Sequence, residues 1–227
     1  MIDMTPFVLS FKLAFLTTLI LFMVALPFAW WLSRTHARYK PFLEALTALP
    51  IVLPPSVLGF YLLVIFSPNS PVGSFIESLL GEKLVFTFTG LVVASCFYSL
   101  PFMVQPLQNG FESLNQHMIE ASYLAGKSHW KTLRYVALPN IKPSLITALI
   151  ITFAHTVGEF GVVLMVGGSI PGETKVASVA IYELVEIMAY DTAHIYAAIL
   201  LGLSFLVLLG VYVYNHRRRK NLLKVVP

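Results

Sequence analysis

Few residues in this chain have the chemistry to act on anything, and most of them sit inside apolar runs. Lys12, His155 and Glu159 are the clear ionisable groups there, joined by the hydroxyls of Ser95, Ser99, Thr152 and Thr156. An isolated charge within a membrane is costly. Counted from the outer ends of their runs at 1.5 Å per residue, Lys12 lies about 8 Å deep and Glu159 about 10 Å deep. The matched depths predict that the two pair or share a polar network near an outer mouth. His155 would join them from one helical turn away on the same face. The competing reading has Lys12 snorkelling outward and Glu159 hydrated in a vestibule. The four hydroxyls are candidates for lining a polar route or for gating it. Each is equally able to bond back to its own helix carbonyls.

Reaction chemistry finds less support. The chain holds no GxSxG and no HExxH, so neither a serine hydrolase elbow nor a zinc protease helix is present. Gly126-Lys127-Ser128 imitates the end of a phosphate loop, but Ala121 stands where that loop needs its first glycine. The six histidines have no His or Cys partner at zinc-ligand spacing. No catalytic residue, metal or bound cofactor is expected.

The elements that carry these residues follow from composition. The 227 residues are 57% hydrophobic and 11% charged, with mean hydropathy +0.79. Soluble domains average about 25% charge, so the arithmetic points to an integral, all-α membrane protein. The apolar runs are unbroken rather than alternating, which argues against a barrel. Five of them, 7–32, 42–66, 85–105, 143–166 and 195–214, are long enough to cross a bilayer. The first is too long for a signal-peptide core and lacks a basic start. Twelve of the fifteen Lys and Arg fall in the links after the first and third runs and in the tail. The bias predicts the N-terminus outside and the C-terminus in the cytoplasm. It also accounts for the pI near 9.2 without nucleic acid. Cys96 has no second cysteine to pair with.

Breaks within this plan carry information. The second run contains Pro50, Pro54 and Pro55. Proline removes a backbone donor, and broken backbone at membrane depth persists only beside protein or a wet cavity. A packed kink and a kinked helix lining a pathway are both open. Residues 67–84 read as an outer loop punctuated by Pro and Gly, and 167–172 as a second break. Residues 176–190 are too short to cross, so they predict a short helix at the outer surface or a re-entrant one.

The longest cytoplasmic link, 116–139, predicts a helix over about 116–125, a glycine break at Gly126, and a second helical turn ending before Pro139. Tyr123, Trp130 and Leu133 give it an apolar face, while Lys127, Lys131 and Arg134 keep it out of the bilayer. Such a link suits either a docking surface for another protein or a helix on the lipid surface.

Within this link, Glu120-Ala121-Ser122, three residues, Gly126, nine residues and then Val136-x-Leu138-Pro139 resembles the EAA loop of ABC importer permeases. That loop reads Glu-Ala-Ala, x3, Gly, x9, Ile-x-Leu-Pro, so Ser122 and Val136 are departures. The GEFG and IPGET stretches within 156–174, and LPIVLPPSVLGFYLL over 49–63, are similar to molybdate permeases and more loosely to sulfate permeases. The resemblance covers roughly residues 8–210. It implies a type I ABC importer transmembrane domain over 8–212, including the coupling loop 116–139, followed by a basic cytoplasmic tail over 213–227. It further implies a membrane subunit of a molybdate importer, with tungstate or sulfate as alternative oxyanions, in the inner membrane of a bacterium or archaeon. The implied partners are a second copy of the chain, two ABC ATPase subunits holding ATP and Mg, a periplasmic or extracellular binding protein, and lipid. From other classes, an ion-coupled secondary transporter would usually show an inverted repeat, and none is visible. A membrane-embedded enzyme would need a catalytic constellation that His155 and Glu159 alone do not make.

Overall fold

A computed structural model describes residues 2–223 of the chain. Every regular element among the described residues is helical. The helix α1 spans Thr5–Arg34, α2 Lys40–Val52, α3 Pro55–Phe66, α4 Pro71–Leu80, α5 Phe88–Glu112 and α6 Gln116–Leu124. Then follow α7 His129–Thr132, a π-helical turn Leu133–Ala137, α8 Leu138–Asn140, α9 Lys142–Val157, α10 Gly161–Gly167, α11 Ala177–Glu186 and α12 Tyr190–Leu223. The tail expected over 213–227 continues the backbone of α12 to Leu223, and Lys224 lies outside the described residues.

Three helices, α1, α5 and α12, are each long and apolar enough to cross a membrane, and two bent pairs raise the candidates to five. α5 is the axis of the bundle. Leu9 and Leu13 of α1 meet its first turns at Leu91 and Val92, and Trp30 meets its last at Phe111, ring centroids 5.0 Å apart. α1 and α5 therefore run in the same direction. Lys40 and Glu44 of α2 bond to Glu112 and Gln108 near the lower end of α5, whereas Phe66 packs with Leu84 and Ala94 at the upper end. Although α2 and α3 meet at 111°, together they run the length of α5 in the opposite sense. They are the first bent pair, and their path along α5 fits one broken span.

The second bent pair is His129–Asn140 with α9, meeting at 81°, and beyond α9 the fourth run continues into α10. A Cβ on Gly110 would meet Ser144, Ser99 bonds to Thr156, and a Cβ on Gly167 would meet Leu91. α9 and α10 thus climb back along α5, with a break at 158–160. Phe7 packs against Tyr196 with tilted rings, centroids 5.3 Å apart, and the Tyr196 hydroxyl donates to the Asp3 carbonyl at 3.0 Å, so α12 begins where α1 begins. Counted with each broken run as one element, the successive runs alternate in direction along α5, so α12 runs the same way as α1.

One segment differs from expectation, and a second, 176–190, holds the short helix that its length predicts. Residues 67–84 contain α4 rather than loop alone. Ser70 caps it by accepting from the Gly73 N–H at 2.8 Å, Pro71 fills the first position, where no donor is needed, and Gly81 closes it at φ +74°. Within 176–190, α11 is a short helix whose Ala177, Val179 and Ala180 are buried at the upper end. The Ala177 N–H donates to Ser10 of α1 at 2.9 Å.

α3 and α10 pack through missing side chains. A Cβ on Gly161 would come within 2.8 Å of Pro55, and one on Gly59 within 2.8 Å of Met165. The LPP and GEFG stretches are thus one packed unit. Gly161→Val should overpack this seam, lowering stability by about 1–3 kcal/mol. Thermal unfolding of the purified chain in detergent reads the loss, and a midpoint equal to wild type would contradict the packing.

Candidate functional site

The link 116–139 folds as a helical hairpin at the lower end. Asn115 starts α6 by accepting from the His117 N–H at 2.9 Å. Gly126 ends the first arm at φ +75°, and Ser128 caps α7. Two bonds clasp the arms: the buried Ser122 and Thr132 hydroxyls at 2.9 Å, and the Tyr123 hydroxyl with His129 Nδ1 at 2.9 Å. Ile119, Leu133, Ala137 and Ile141 enter the same buried cluster as Trp30, Met103 and Phe111. The hairpin is therefore rooted in α1 and α5, and it continues into α9 through an 81° bend.

Glu120 and Ala121 are exposed, and Glu120 faces His117 at 3.4 Å. Val136 and Leu138 pack against the buried cluster. Two expectations need correction here. Helix does not stop before Pro139 but runs through it to Asn140. The π turn at Leu133–Ala137 widens the helix just before the residue that cannot donate, so the proline is absorbed. Nor is Leu133 on the exposed face, being 2% exposed. The exposed apolar groups are Leu124, Trp130 and Tyr135, interleaved with exposed Lys127, Lys131 and Arg134.

Ser122, where the EAA pattern has alanine, is explained by Thr132 opposite it. Ser122→Ala alone should leave the Thr132 hydroxyl buried without that partner, costing about 1–3 kcal/mol. Ser122→Ala with Thr132→Val should recover most of the loss in a thermal unfolding series. A double variant as unstable as the sum of the two singles would contradict the clasp.

The hydroxyl candidates converge, but not on an open route. Ser95, Ser99 and Thr152 are 0% exposed and Thr156 is 2% exposed, all in the seam between α5 and α9. Ser99 bonds to His155 Nδ1 at 3.0 Å and to Thr156 at 2.9 Å. Thr156 donates back to the Thr152 carbonyl at 3.0 Å. Ser99, with His155 and Thr156, therefore ties α5 to α9 within one chain, whereas the buried Ser95 and Thr152 hydroxyls have no hydrogen-bond partner among the described residues.

The pairing of Lys12 with Glu159 is not formed. The Lys12 ammonium sits 4.6 Å over the Phe88 ring, on an exposed side of α1. Glu159 is 3% exposed, and neither of its oxygens has a hydrogen-bond partner among the described residues. Ser95 lies beside it without a bond of normal geometry. Glu159 and His155 do not share a helix face either, since α9 ends at Val157. The Ser178 hydroxyl anchors this break by donating to the Glu159 carbonyl at 2.6 Å.

Sequence reasoning passed over one polar network. Lys40 contacts Glu112 at 3.0 Å and Glu44 at 3.7 Å, and Gln108 donates to Glu44 at 2.6 Å and to Glu112 at 3.0 Å. It ties α2 to the lower end of α5. The signals were Lys40–Glu44 and Gln108–Glu112, each pair one helical turn apart. Among the described residues no three His, Cys, Asp or Glu side chains converge as metal ligands would.

With the bundle and hairpin described, comparison with known proteins decides the family. Residues 25–221 match the family described as binding-protein-dependent transport system inner membrane component. The chain belongs to that family. It is 50% identical over 210 residues to the molybdenum transport system permease protein ModB of Azotobacter vinelandii, covering 92% of this chain and 93% of that one. It is 35% identical over 204 residues to the putative molybdenum transport system permease protein YvgM of Bacillus subtilis (strain 168), covering 90% of each. Its fold is similar to a bacterial alginate ABC transporter solved in complex with an alginate pentasaccharide-bound periplasmic protein. The TM-score is 0.76 at 18% identity, covering 94% of this chain and 78% of that one. The chain is accordingly an ABC importer permease subunit, a multi-pass membrane protein of a family whose members are non-catalytic.

Proposed function

We propose that the chain is the membrane-spanning permease subunit of an ATP-driven molybdate importer in a bacterial or archaeal cytoplasmic membrane. The observation that carries this reading is the 50% identity, over nine-tenths of both chains, to a molybdenum permease. The N-terminus lies outside and the C-terminus inside, because twelve of fifteen Lys and Arg fall at the hairpin end and in the tail. Two copies enclose the pathway, two ATPase subunits dock below, and a binding protein delivers the anion above. ATP and Mg stay on the ATPase, and this chain holds no cofactor.

The mechanism rests on the hairpin. Exposed Leu124, Trp130 and Tyr135 offer an aromatic anchor of the kind that dominates protein interfaces, with the cations around them set for an acidic cleft. When ATP draws the two ATPases together, each carries its docked hairpin along. The Ser122–Thr132 and Tyr123–His129 bonds keep the hairpin from flexing. Its buried side then turns α5 and α1, and the 81° bend turns α9. Closure below becomes reorientation above.

The test is uptake of radiolabelled molybdate by cells lacking their own importer and supplied with this system. Uptake that survives excess sulfate supports the reading. Uptake displaced by equimolar sulfate or tungstate would reassign the anion, and none of the three carried would reject the proposal.

A further inference from the structure

We infer that α4 is an interfacial helix, lying in the outer leaflet with Val72, Phe75 and Leu79 set into the acyl boundary. The permease reading names that leaflet as the outer one, and the lipid contact itself does not depend on the cargo. At about 100° per residue, these three positions of α4 fall within about 60° of one another. All three are open, at 47%, 66% and 72% exposed. Turning one way around the helix, Ile76 packs against the buried cluster of Phe66, Leu84 and Ala94. Gly73 comes next, buried against the Phe66 and Ser67 carbonyls. Turning the other way, Ser78 and Ser74 are exposed. The helix thus has three sectors: one against the chain, one open and apolar, one open and polar.

Its level in the bundle is fixed by α5. The 25 residues of that helix extend about 37 Å at 1.5 Å each, slightly more than the roughly 30 Å of hydrocarbon in a bilayer. The first turn of α5 therefore lies at the headgroup boundary. Leu84 sits against that turn, since the Thr87 hydroxyl donates to its carbonyl at 3.0 Å and a Cβ on Gly90 would strike the same carbonyl. Ile76 shares a cluster with Leu84, so α4 lies at the boundary too. Its start is locked to the end of α3, because the Ser70 N–H donates to the Ser67 carbonyl at 2.9 Å and the Ser70 hydroxyl to the Ile65 carbonyl. Whatever holds α4 holds the upper end of α3.

A lipid surface fits this arrangement, because a helix at the boundary buries one flank in acyl chains and keeps the other in water. A protein partner fits it less well. A stable interface takes about 800 Å² from each side, and three side chains bounded by the chain on one flank and by serines on the other do not supply that. Charge does not carry the contact either. Lys83 is exposed just past the end of the helix, but Glu82 beside it is exposed as well. Apolar burial is the driving force, so the occupant is phospholipid of any headgroup.

Collision of nitroxide labels with two reagents tests the assignment. In the full-length chain with Cys96→Ala, single labelled cysteines are placed by Phe75→Cys, Leu79→Cys, Ser74→Cys or Ser78→Cys. All four positions are exposed, so the labels displace no packed side chain. The chain is reconstituted in phosphatidylethanolamine–phosphatidylglycerol nanodiscs with no binding protein present. Oxygen concentrates among acyl chains, whereas a nickel chelate stays in water. The oxygen-to-nickel collision ratio should be at least about threefold higher at Phe75→Cys and Leu79→Cys than at Ser74→Cys and Ser78→Cys, as for a helix sunk about 5–10 Å into the boundary. Equal ratios at the four positions would overturn the inference. So would labels at Phe75→Cys and Leu79→Cys that neither reagent reaches, because a second copy of the chain would then cover the face. The measurement needs no transport, so the predicted ratios in a chain that carries no oxyanion would sink the functional reading alone.

Discussion

Under the proposed mechanism, Gly126→Val should leave the chain inserted in the membrane yet nearly abolish ATP-driven uptake. Gly126 stands at φ +75°, where a Cβ costs about 1–2 kcal/mol and a β-branched one more. A Cβ there would meet nothing within 4 Å, so crowding plays no part. The effect acts through the backbone and moves the clasp at Ser122–Thr132 and the aromatic anchor out of register with the ATPase. The account therefore predicts a graded series. Gly126→Asn, which tolerates the left-handed region, keeps most of the coupling, Gly126→Ala keeps less, and Gly126→Val keeps little. Substrate-stimulated ATP hydrolysis in the reconstituted complex reads the order. Equal activity in Asn and Val variants would show that the turn is not what matters.

The second large effect is at Glu159. Its carboxyl is buried with no bonded partner and no ion pair among the described residues. Glu159→Gln keeps the shape and should accumulate in the membrane at near wild-type levels. Glu159→Lys places a longer cation in the same closed space, at a cost of about 2.5–3.5 kcal/mol or more, and should nearly abolish accumulation. Adding Lys12→Glu should bring no recovery, because Lys12 rests on Phe88 and is worth about 0.5–1 kcal/mol there. Rescue of Glu159→Lys by Lys12→Glu in membrane immunoblots would restore the pairing that the structure denies.

The contrast between these two residues measures what the sequence could tell. Hydropathy located the three unbroken candidate spans and marked the bent ones, because solvation by lipid acts on whole runs of residues, and the glycine break at 126 was legible because few residues take its conformation. Depth along a helix was also legible, which is why Lys12 and Glu159 looked matched. Direction around the helix was not. Lys12 lies on an exposed side of α1 although Ser10, Leu13 and Ala14 nearby are buried, and the end of α9 at Val157 separates Glu159 from His155. The same limit hid that Ser95, Ser99, Thr152 and Thr156 are all buried within the single chain, with only Ser99 and Thr156 bonded across α5 and α9. The prolines at 54 and 55 announced a break, but not its 111° angle, which depends on Gly59 and Gly161 across the seam. α4 was missed even though Ser70, Pro71 and Gly81 spell a helix start and stop, because its apolar residues are spaced along ten positions and gave no long unbroken run.

The central claim is that this chain is a pore moved by ATP rather than by an ion gradient. Proteoliposomes holding the chain with its ATPase, and supplied with the binding protein outside, test it by accumulation of labelled molybdate. The account predicts accumulation that requires ATP inside, stops in Gly126→Val, and is unchanged when ionophores collapse every gradient. Accumulation without ATP that disappears with the ionophores would contradict it.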